Sequence, residues 1–358
     1  MKKILFIIPT LTQTNGVAAF MINYFEHFRF DKFKIEIIYN DLRSSKKYLD
    51  FLREKGINTY KLPYERDVGL RKYCKAIRQF FEKHNDYDLI YSNVGYQTYF
   101  FYKEAKRHGI NNLAIHAHGT KLSDNNFKNT LGFFLQKRVN KMSKYKFACS
   151  QLAGLSVYGK KSFKVINNAI NYDKYKFNKN FRDTIRRRLG IEEKNKIIGF
   201  VGRFTPQKNI YFFIDLIKKI DNTYKVLMIG NGYQKQDFLN KVKAENLEDR
   251  FIFVEETSYI NEYYSTFDFF LLPSLFEGLP VVSVEAQANG LPCMLSNTIS
   301  NECKISNNTI YLDKDDIKEW ISNLKKMSRN SELKLNDEFN INVQATKFEE
   351  ILYSILKN

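Results

Sequence analysis

Residues 271–290 read LLPSLFEGLPVVSVEAQANG, and this stretch decides the fold. An apolar strand end at 269–272 breaks at Pro273, a short loop with Gly278 and Pro280 follows, and 281–289 has the pattern of a helix. Strand, tight loop and helix form the turn through which a parallel α/β sheet offers backbone N–H groups to a ligand. Glu277 in the loop and Glu285 in the helix are separated by seven residues. Gly278 lets the backbone approach a ligand closely, although a carboxylate beside it also complements the helix dipole. Glu285 lies among Val281, Val284, Ala286 and Ala288, so its carboxylate needs a partner: paired sugar hydroxyls or a structural ion pair.

Upstream, 199–209 reads GFVGRFTPQKN. A strand ending at Gly202 and a helix beginning near Lys208 put Arg203 and Lys208 in one loop at the carboxyl edge of a sheet. Two cations there suit a diphosphate, Arg as a planar fork and Lys as a point charge; an ordinary solvated loop carries such cations too. Strand-like runs at 196–201, 225–229, 251–254 and 269–272 alternate with helical spacing at 209–220, 233–245 and 260–267. The same alternation occupies the first half, with strands at 3–8, 34–39, 59–62, 88–92, 113–117 and 147–150. One helix there is marked by Val17, Phe20, Met21, Tyr24, Phe25 and Phe28. The pattern predicts two successive Rossmann-like α/β halves. The polar stretch NYDKYKFNKN at 171–180 reads as their linker, a basic helix follows at 184–189, and a helix at 343–356 closes the chain.

A length of 358 residues fits two domains, and 44% hydrophobic with 27% charged residues is a globular composition. Cys74, Cys149, Cys293 and Cys303 have no metal or redox spacing, which suits reduced thiols in a cytoplasmic protein. The run after Met1 is short and reads as a buried strand, not a signal peptide, and no apolar run approaches the ~18 residues of a membrane span. The net charge of +18 is lopsided. Residues 1–170 hold 30 Lys and Arg against 13 Asp and Glu, leaving 27 against 26 for the rest. Such an excess points to an anionic partner for the first half, or simply to a soluble Lys-rich surface.

Four weaker features complete the reading. The loop at 9–16 holds a single glycine, Gly16, and precedes a helix. His116 and His118 fall on one face at a strand end, without the neighbours a metal needs. Asp86 and Asp88 match a DxD pattern but precede a strand instead of ending one. Residues 127–147 read as a basic, aromatic helix on which Leu131, Phe134, Leu135, Arg138 and Met142 share a face. That face suits an anionic bilayer or, equally, the protein core.

In this order, the pieces resemble the bacterial family 4 retaining glycosyltransferases of GT-B architecture, and more narrowly the capsular and exopolysaccharide enzymes among them. PSLFEGLPVVSVEAQANGLP, with its E-x7-E acids, and GRFTPQKN carry the resemblance. HAHGT, ACSQLAG, YGKKSFKVINNAIN and the closing helix support it.

The resemblance implies a donor domain at 171–339 and an acceptor domain at 1–170 facing it across a cleft, completed by a returning helix at 340–358. It implies that Arg203 and Lys208 hold a donor diphosphate and that Glu277 lies at the donor sugar. Gly202, Gly278, Leu279 and Pro280 would line the donor site, and Glu285 would bond the ribose. Gly16 would approach the phosphate, and His118 would stand beside sugar and acceptor. Where the family usually has two adjacent glycines in the first loop, this chain has Asn15 before Gly16.

The expected activity is retaining transfer from a nucleoside diphosphate sugar, a uridine one, to a lipid-linked saccharide, without metal or other cofactor. The expected location is the inner face of the cell membrane, with peripheral contact through the first domain. A non-catalytic GT-B subunit that binds or chaperones is the alternative, and the intact Arg203, Lys208, Glu277 and Glu285 weigh against it. Nucleic-acid binding would rest on charge alone, with no reading motif in the chain.

Overall fold

The computed structural model describes residues 1–12, 15–40, 44–119, 126–257, 259–277, 279–329 and 333–357, the side chains of 126–130 excepted. The chain divides into two compact units, Met1–Ala169 with Ile341–Asn358, and Ile170–Asn340.

Unit 1 is built on seven parallel strands: β1 (Lys2–Ile8), β2 (Phe33–Tyr39), β3 (Asn58–Lys61), β4 (Leu89–Ser92), β5 (Leu113–Ala117), β6 (Tyr145–Ala148) and β7 (Lys164–Val165). Their order is β3-β2-β1-β4-β5-β6-β7. Ile4 of β1 stands opposite Ile35 of β2 and Leu89 of β4, and the central strands are buried on both faces, which is why they read as continuous apolar runs. Helix Gly16–His27 and the closing helix Ile341–Lys357 cover one face. Phe348 meets Tyr24 at 5.5 Å and Phe28 at 5.7 Å between ring centroids. The closing helix therefore belongs to unit 1, and Glu349 Oε1 accepts from Arg29 N at 2.9 Å.

Unit 2 has six parallel strands: β8 (Lys196–Val201), β9 (Tyr224–Ile229), β10 (Phe251–Val254), β11 (Phe269–Leu272), β12 (Cys293–Ser296) and β13 (Thr309–Leu312), in the order β10-β9-β8-β11-β12-β13. In both units the direction of winding reverses beside the first strand, between β1 and β4 and between β8 and β11. The loops leaving those strand ends flank a topological switch point, where open α/β sheets bind ligands.

Two sequence expectations are corrected. Residues 171–180 are not a free linker: they contain the helical turn Tyr172–Tyr175, with both tyrosines buried in the core of unit 2. The basic helix, found at Lys179–Arg188, turns two of its cations inward and leaves Lys179, Arg187 and Arg188 exposed. Arg182 and Arg186 each reach an oxygen of Asp268 at 2.6 Å, and that carboxylate also accepts from Ile197 N, tying the helix to the start of β8.

In helix Asn126–Met142, Leu131 and Phe134 do not face the core, one of the two alternatives that the sequence leaves open. Gly132, Gln136, Val139 and Asn140 are buried, whereas Leu131, Phe133 and Phe134 are 57%, 47% and 59% exposed. The inward polar groups are linked: Gln136 donates to Asn140 Oδ1 at 2.9 Å, and Asn140 to the Val157 carbonyl at 2.7 Å, while Gln136 Oε1 is left without a partner among the described residues. Asp86 and Asp88 pair with Lys3 and Lys2 at the start of the sheet, in keeping with strand-start residues.

Candidate functional site

In unit 2 the loops after β8 and β11 are bonded together. Leu275 N donates to the Gln207 carbonyl at 2.8 Å, and Asn209 Nδ2 to the Pro273 carbonyl at 3.2 Å. Lys208 Nζ lies 2.5 Å from Glu277 Oε1, with the side chains 13% and 10% exposed, and Gln207 Nε2 reaches Glu277 Oε2 at 3.3 Å. Arg203, in the same loop, is exposed, and its side chain has no hydrogen-bond or ion-pair partner among the described residues. One cation is thus held by an acid, and the next is free for an anion.

Glycine makes this packing possible. A Cβ on Gly230, which has φ +138°, would fall 2.1 Å from the Gly202 carbonyl oxygen, so the loop after β9 lies directly on the loop that carries Arg203. A Cβ on Gly202 would meet Lys208 Cε at 3.3 Å. Pro280 is buried and precedes helix Val281–Ala288, which no side chain caps; Leu279 packs against the core of unit 2. Gly278 lies outside the described residues.

Within unit 2 the partners of Glu285 are two tyrosines, not the ion pair that the sequence offers as one alternative. Tyr175 Oη and Tyr264 Oη each donate to one of its carboxylate oxygens at 2.7 Å. The residue is only partly exposed. Burial raises its carboxyl above the usual range, against the two tyrosine hydrogen bonds, which hold it down. Sequence reasoning missed both tyrosines, and the only available signal was Tyr172 and Tyr175 at helical spacing within a polar stretch.

In unit 1, Asn15 is in extended backbone at φ −92°, and its side chain accepts from Ala18 N at 3.0 Å, capping the helix that Gly16 begins. The position occupied by Asn15 thus needs no glycine, which answers the departure noted in that loop. A Cβ on Gly16 would meet nothing within 4 Å.

His116 and His118 stack at 4.1 Å between centroids, with Phe20 edge-on to both. Asn93 Nδ2 donates to the Ile7 carbonyl, so its Oδ1 faces His118 Nε2 at 2.8 Å. His118 therefore carries its proton on Nε2 and presents Nδ1 as an acceptor. Burial holds His118 down to about 3 and His116 well below its usual value, so both rings are neutral at neutral pH. Both line a cavity of about 550 Å³ within unit 1, together with Asn93, Tyr64, Tyr73 and Tyr96. No group of three or more His, Cys, Asp or Glu among the described residues is placed to hold a metal.

Residues 181–345 match the family described as glycosyl transferases group 1, a segment holding Gly202, Arg203, Lys208, Glu277, Leu279, Pro280 and Glu285. The chain is 23% identical over 371 aligned residues to the UDP-Gal:alpha-D-GlcNAc-diphosphoundecaprenol alpha-1,3-galactosyltransferase of Escherichia coli, covering 96% of this chain and 95% of that one. It is 28% identical to the capsular polysaccharide biosynthesis glycosyltransferase CapH of Staphylococcus aureus over 220 residues, 57% of each chain. Among solved structures, Anabaena Alr3699/HepE in complex with UDP and glucose superposes with a TM-score of 0.77 at 17% identity, over 99% of this chain and 100% of that one. With two parallel-sheet units, a segment across the site of the second that matches the group 1 glycosyl transferases, and relatives of this kind, the chain is a glycosyltransferase of GT-B fold.

Proposed function

We propose that this glycosyltransferase moves a sugar, with retention, from a uridine diphosphate sugar to a lipid-linked saccharide during synthesis of a cell-surface polysaccharide. The observation that carries the reading is the unpartnered Arg203 beside the Lys208–Glu277 pair at the switch point of unit 2. Arg203 and Lys208 neutralise the diphosphate, and Glu277, Leu279, Pro280 and Gly278 surround the sugar. The two tyrosines leave Glu285 with lone pairs for the ribose hydroxyls. Gly16 meets the phosphate, and the cavity beside His118 takes the acceptor. The Escherichia coli relative, whose name gives it a UDP-sugar donor and a diphosphoundecaprenol-linked acceptor, and the neighbour bound to UDP and glucose both support this choice of substrates.

Retention without a protein nucleophile calls for front-face substitution. The acceptor oxygen forms its bond to the anomeric carbon on the side from which the diphosphate leaves. The electron pair of the broken bond stays on the diphosphate, and the hydroxyl proton passes to a phosphate oxygen. Electrostatic stabilisation of the leaving group by Arg203 and Lys208 supplies most of the rate, and no metal or other cofactor is needed. His118 Nδ1 accepts from a hydroxyl of donor or acceptor and positions it.

No described helix is long and apolar enough to cross a membrane. A lipid-linked acceptor and the basic first unit support peripheral attachment at the cytoplasmic face, with exposed Leu131, Phe133 and Phe134 beside Lys137, Arg138 and Lys141 suited to the interface. A panel of nucleotide sugars titrated into the purified protein tests the donor. Saturable binding and slow hydrolysis of a UDP-sugar are expected; a clear preference for another nucleotide would overturn that part of the reading. Lys208→Ala should lose about 10²–10³ in turnover while staying folded.

A further inference from the structure

Away from the switch point of unit 1, the edge strand β7, its neighbour β6 and the closing helix line a second cavity of about 580 Å³. Four lysines line it: Lys144, Lys146, Lys161 and Lys164. Its remaining wall is largely apolar, with Phe147, Phe163, Ile351 and Ile355. No Asp or Glu lines it, and none of the four lysines forms a salt bridge among the described residues.

Two lysines at the start of the sheet are neutralised, Lys2 by Asp88 and Lys3 by Asp86. Here Lys146 donates to the Ser143 carbonyl at 2.8 Å, which leaves its charge uncompensated, and Lys144 reaches neutral groups, Asn112 Oδ1 at 3.4 Å and the Tyr145 ring at 5.2 Å. Burial and the nearby Lys161 lower the Lys146 pKa, the sign of cations held together without a counter-charge. A slot with cations at its rim and apolar side chains along its wall matches an amphiphile that is both anionic and greasy. A free anion would leave the apolar wall wet; a neutral lipid would leave the lysines unanswered.

We propose that this slot seats an anionic phospholipid, its phosphate among Lys146, Lys161 and Lys164 and the start of an acyl chain against Phe163, Ile351 and Ile355. It would act as a second membrane anchor, separate from helix Asn126–Met142. The inference rests on the reading of unit 1 as the membrane-facing half and adds the lipid that it selects.

Three vesicle-sedimentation arms test it, using phosphatidylcholine vesicles with and without phosphatidylglycerol. The intact protein should bind the phosphatidylglycerol vesicles. Lys161→Glu with Lys164→Glu should weaken that binding at least tenfold, and the equal charge change Lys72→Glu with Lys75→Glu much less. Equal loss from both pairs would show general electrostatics and overturn the slot. Unchanged binding in the Lys161/Lys164 variant, lost instead on Phe133→Ser with Phe134→Ser, would overturn the slot but keep the membrane reading. No binding by the intact protein would overturn both.

Hydrogen exchange gives a readout independent of charge. Short-chain phosphatidylglycerol should protect 144–147, 161–164 and 351–355, whereas inorganic phosphate should not. Equal protection by phosphate would reduce the slot to a simple anion site and overturn the lipid assignment.

Discussion

Lys208 and Glu277 form an ion pair of 2.5 Å inside the loop cluster proposed to hold the donor, so the lysine's charge is already shared before any diphosphate arrives. A nearly buried pair is costly to break from one side, because the remaining charge is left unpaired. It also sets how much positive charge the diphosphate meets, and Arg203 next to it supplies the part that no acid has claimed.

Glu277→Gln separates these roles. Removing the carboxylate frees Lys208 for phosphate, so binding of free UDP should persist within a few-fold or tighten. Turnover should fall by about 10² or more as the sugar contact is lost. Thermal unfolding should report a loss of about 2 kcal/mol from the unpaired lysine. If titration calorimetry instead shows UDP binding lost along with turnover, the pair is a scaffold for the loop and not a sugar contact.

The glycines make a contrasting prediction about that loop. Gly230→Ala places a Cβ 2.1 Å from backbone oxygen that cannot move aside, in a backbone conformation that L residues rarely adopt. It should lower the melting temperature by several degrees and raise the KM for donor as the Arg203 loop shifts. Gly202→Ala meets only the far end of the Lys208 side chain at 3.3 Å and the Phe200 ring, so it should fold nearly normally. Its cost should appear in turnover, through a displaced Lys208. Melting curves and kinetics on the two variants check the ordering.

These residues also show what the sequence could carry. β1 and β8 were legible because strands buried on both faces become nearly unbroken apolar runs, and the loops after β8 and β11 could be placed at the carboxyl edge from the alternation of strands and helices. β7 has only two residues, and β12 and β13 are short strands whose burial comes from tertiary neighbours. The helix Asn126–Met142 was legible as a helix but not in its orientation. A chain of polar groups, Gln136, Asn140 and the Val157 carbonyl, took the inward face, which decides against the core for Leu131 and Phe134, an alternative the sequence leaves open. The partners of Glu285 were hidden for the same reason: a tyrosine in a polar stretch gives no sign that its hydroxyl will meet an acid 110 residues away.

Glu285 ties that finding to pH. Its carboxyl is raised above the unfolded value of about 4.5, so between that value and the raised one the folded state binds more protons than the unfolded state. Stability from this group therefore falls as pH rises through that window. Glu285→Gln removes the penalty and should gain melting temperature over the parent as pH goes from 4 to 7, while losing affinity for the nucleoside. Tyr175→Phe, which removes a hydrogen bond that favours the charged form, should widen the window. A Glu285→Gln protein that loses stability relative to the parent at pH 7 would show that the two tyrosine hydrogen bonds outweigh burial.

His118 makes the opposite prediction. Its folded pKa, about 3, lies below the unfolded value of 6.5, so between the two the unfolded state binds more protons and stability is lost as pH falls from 6.5. His118→Asn should make that acid loss shallower, and His116, held down by the same burial, accounts for part of what remains. For catalysis the consequence differs. A ring that stays neutral from pH 5 to 8 contributes no titration to the turnover profile. His118→Ala should thus lower turnover by a constant factor across that range, about tenfold for one lost positioning hydrogen bond. A step near pH 6.5 in the parent profile that disappears in the variant would mean that the ring titrates during turnover, and that it moves a proton instead of holding a hydroxyl in place.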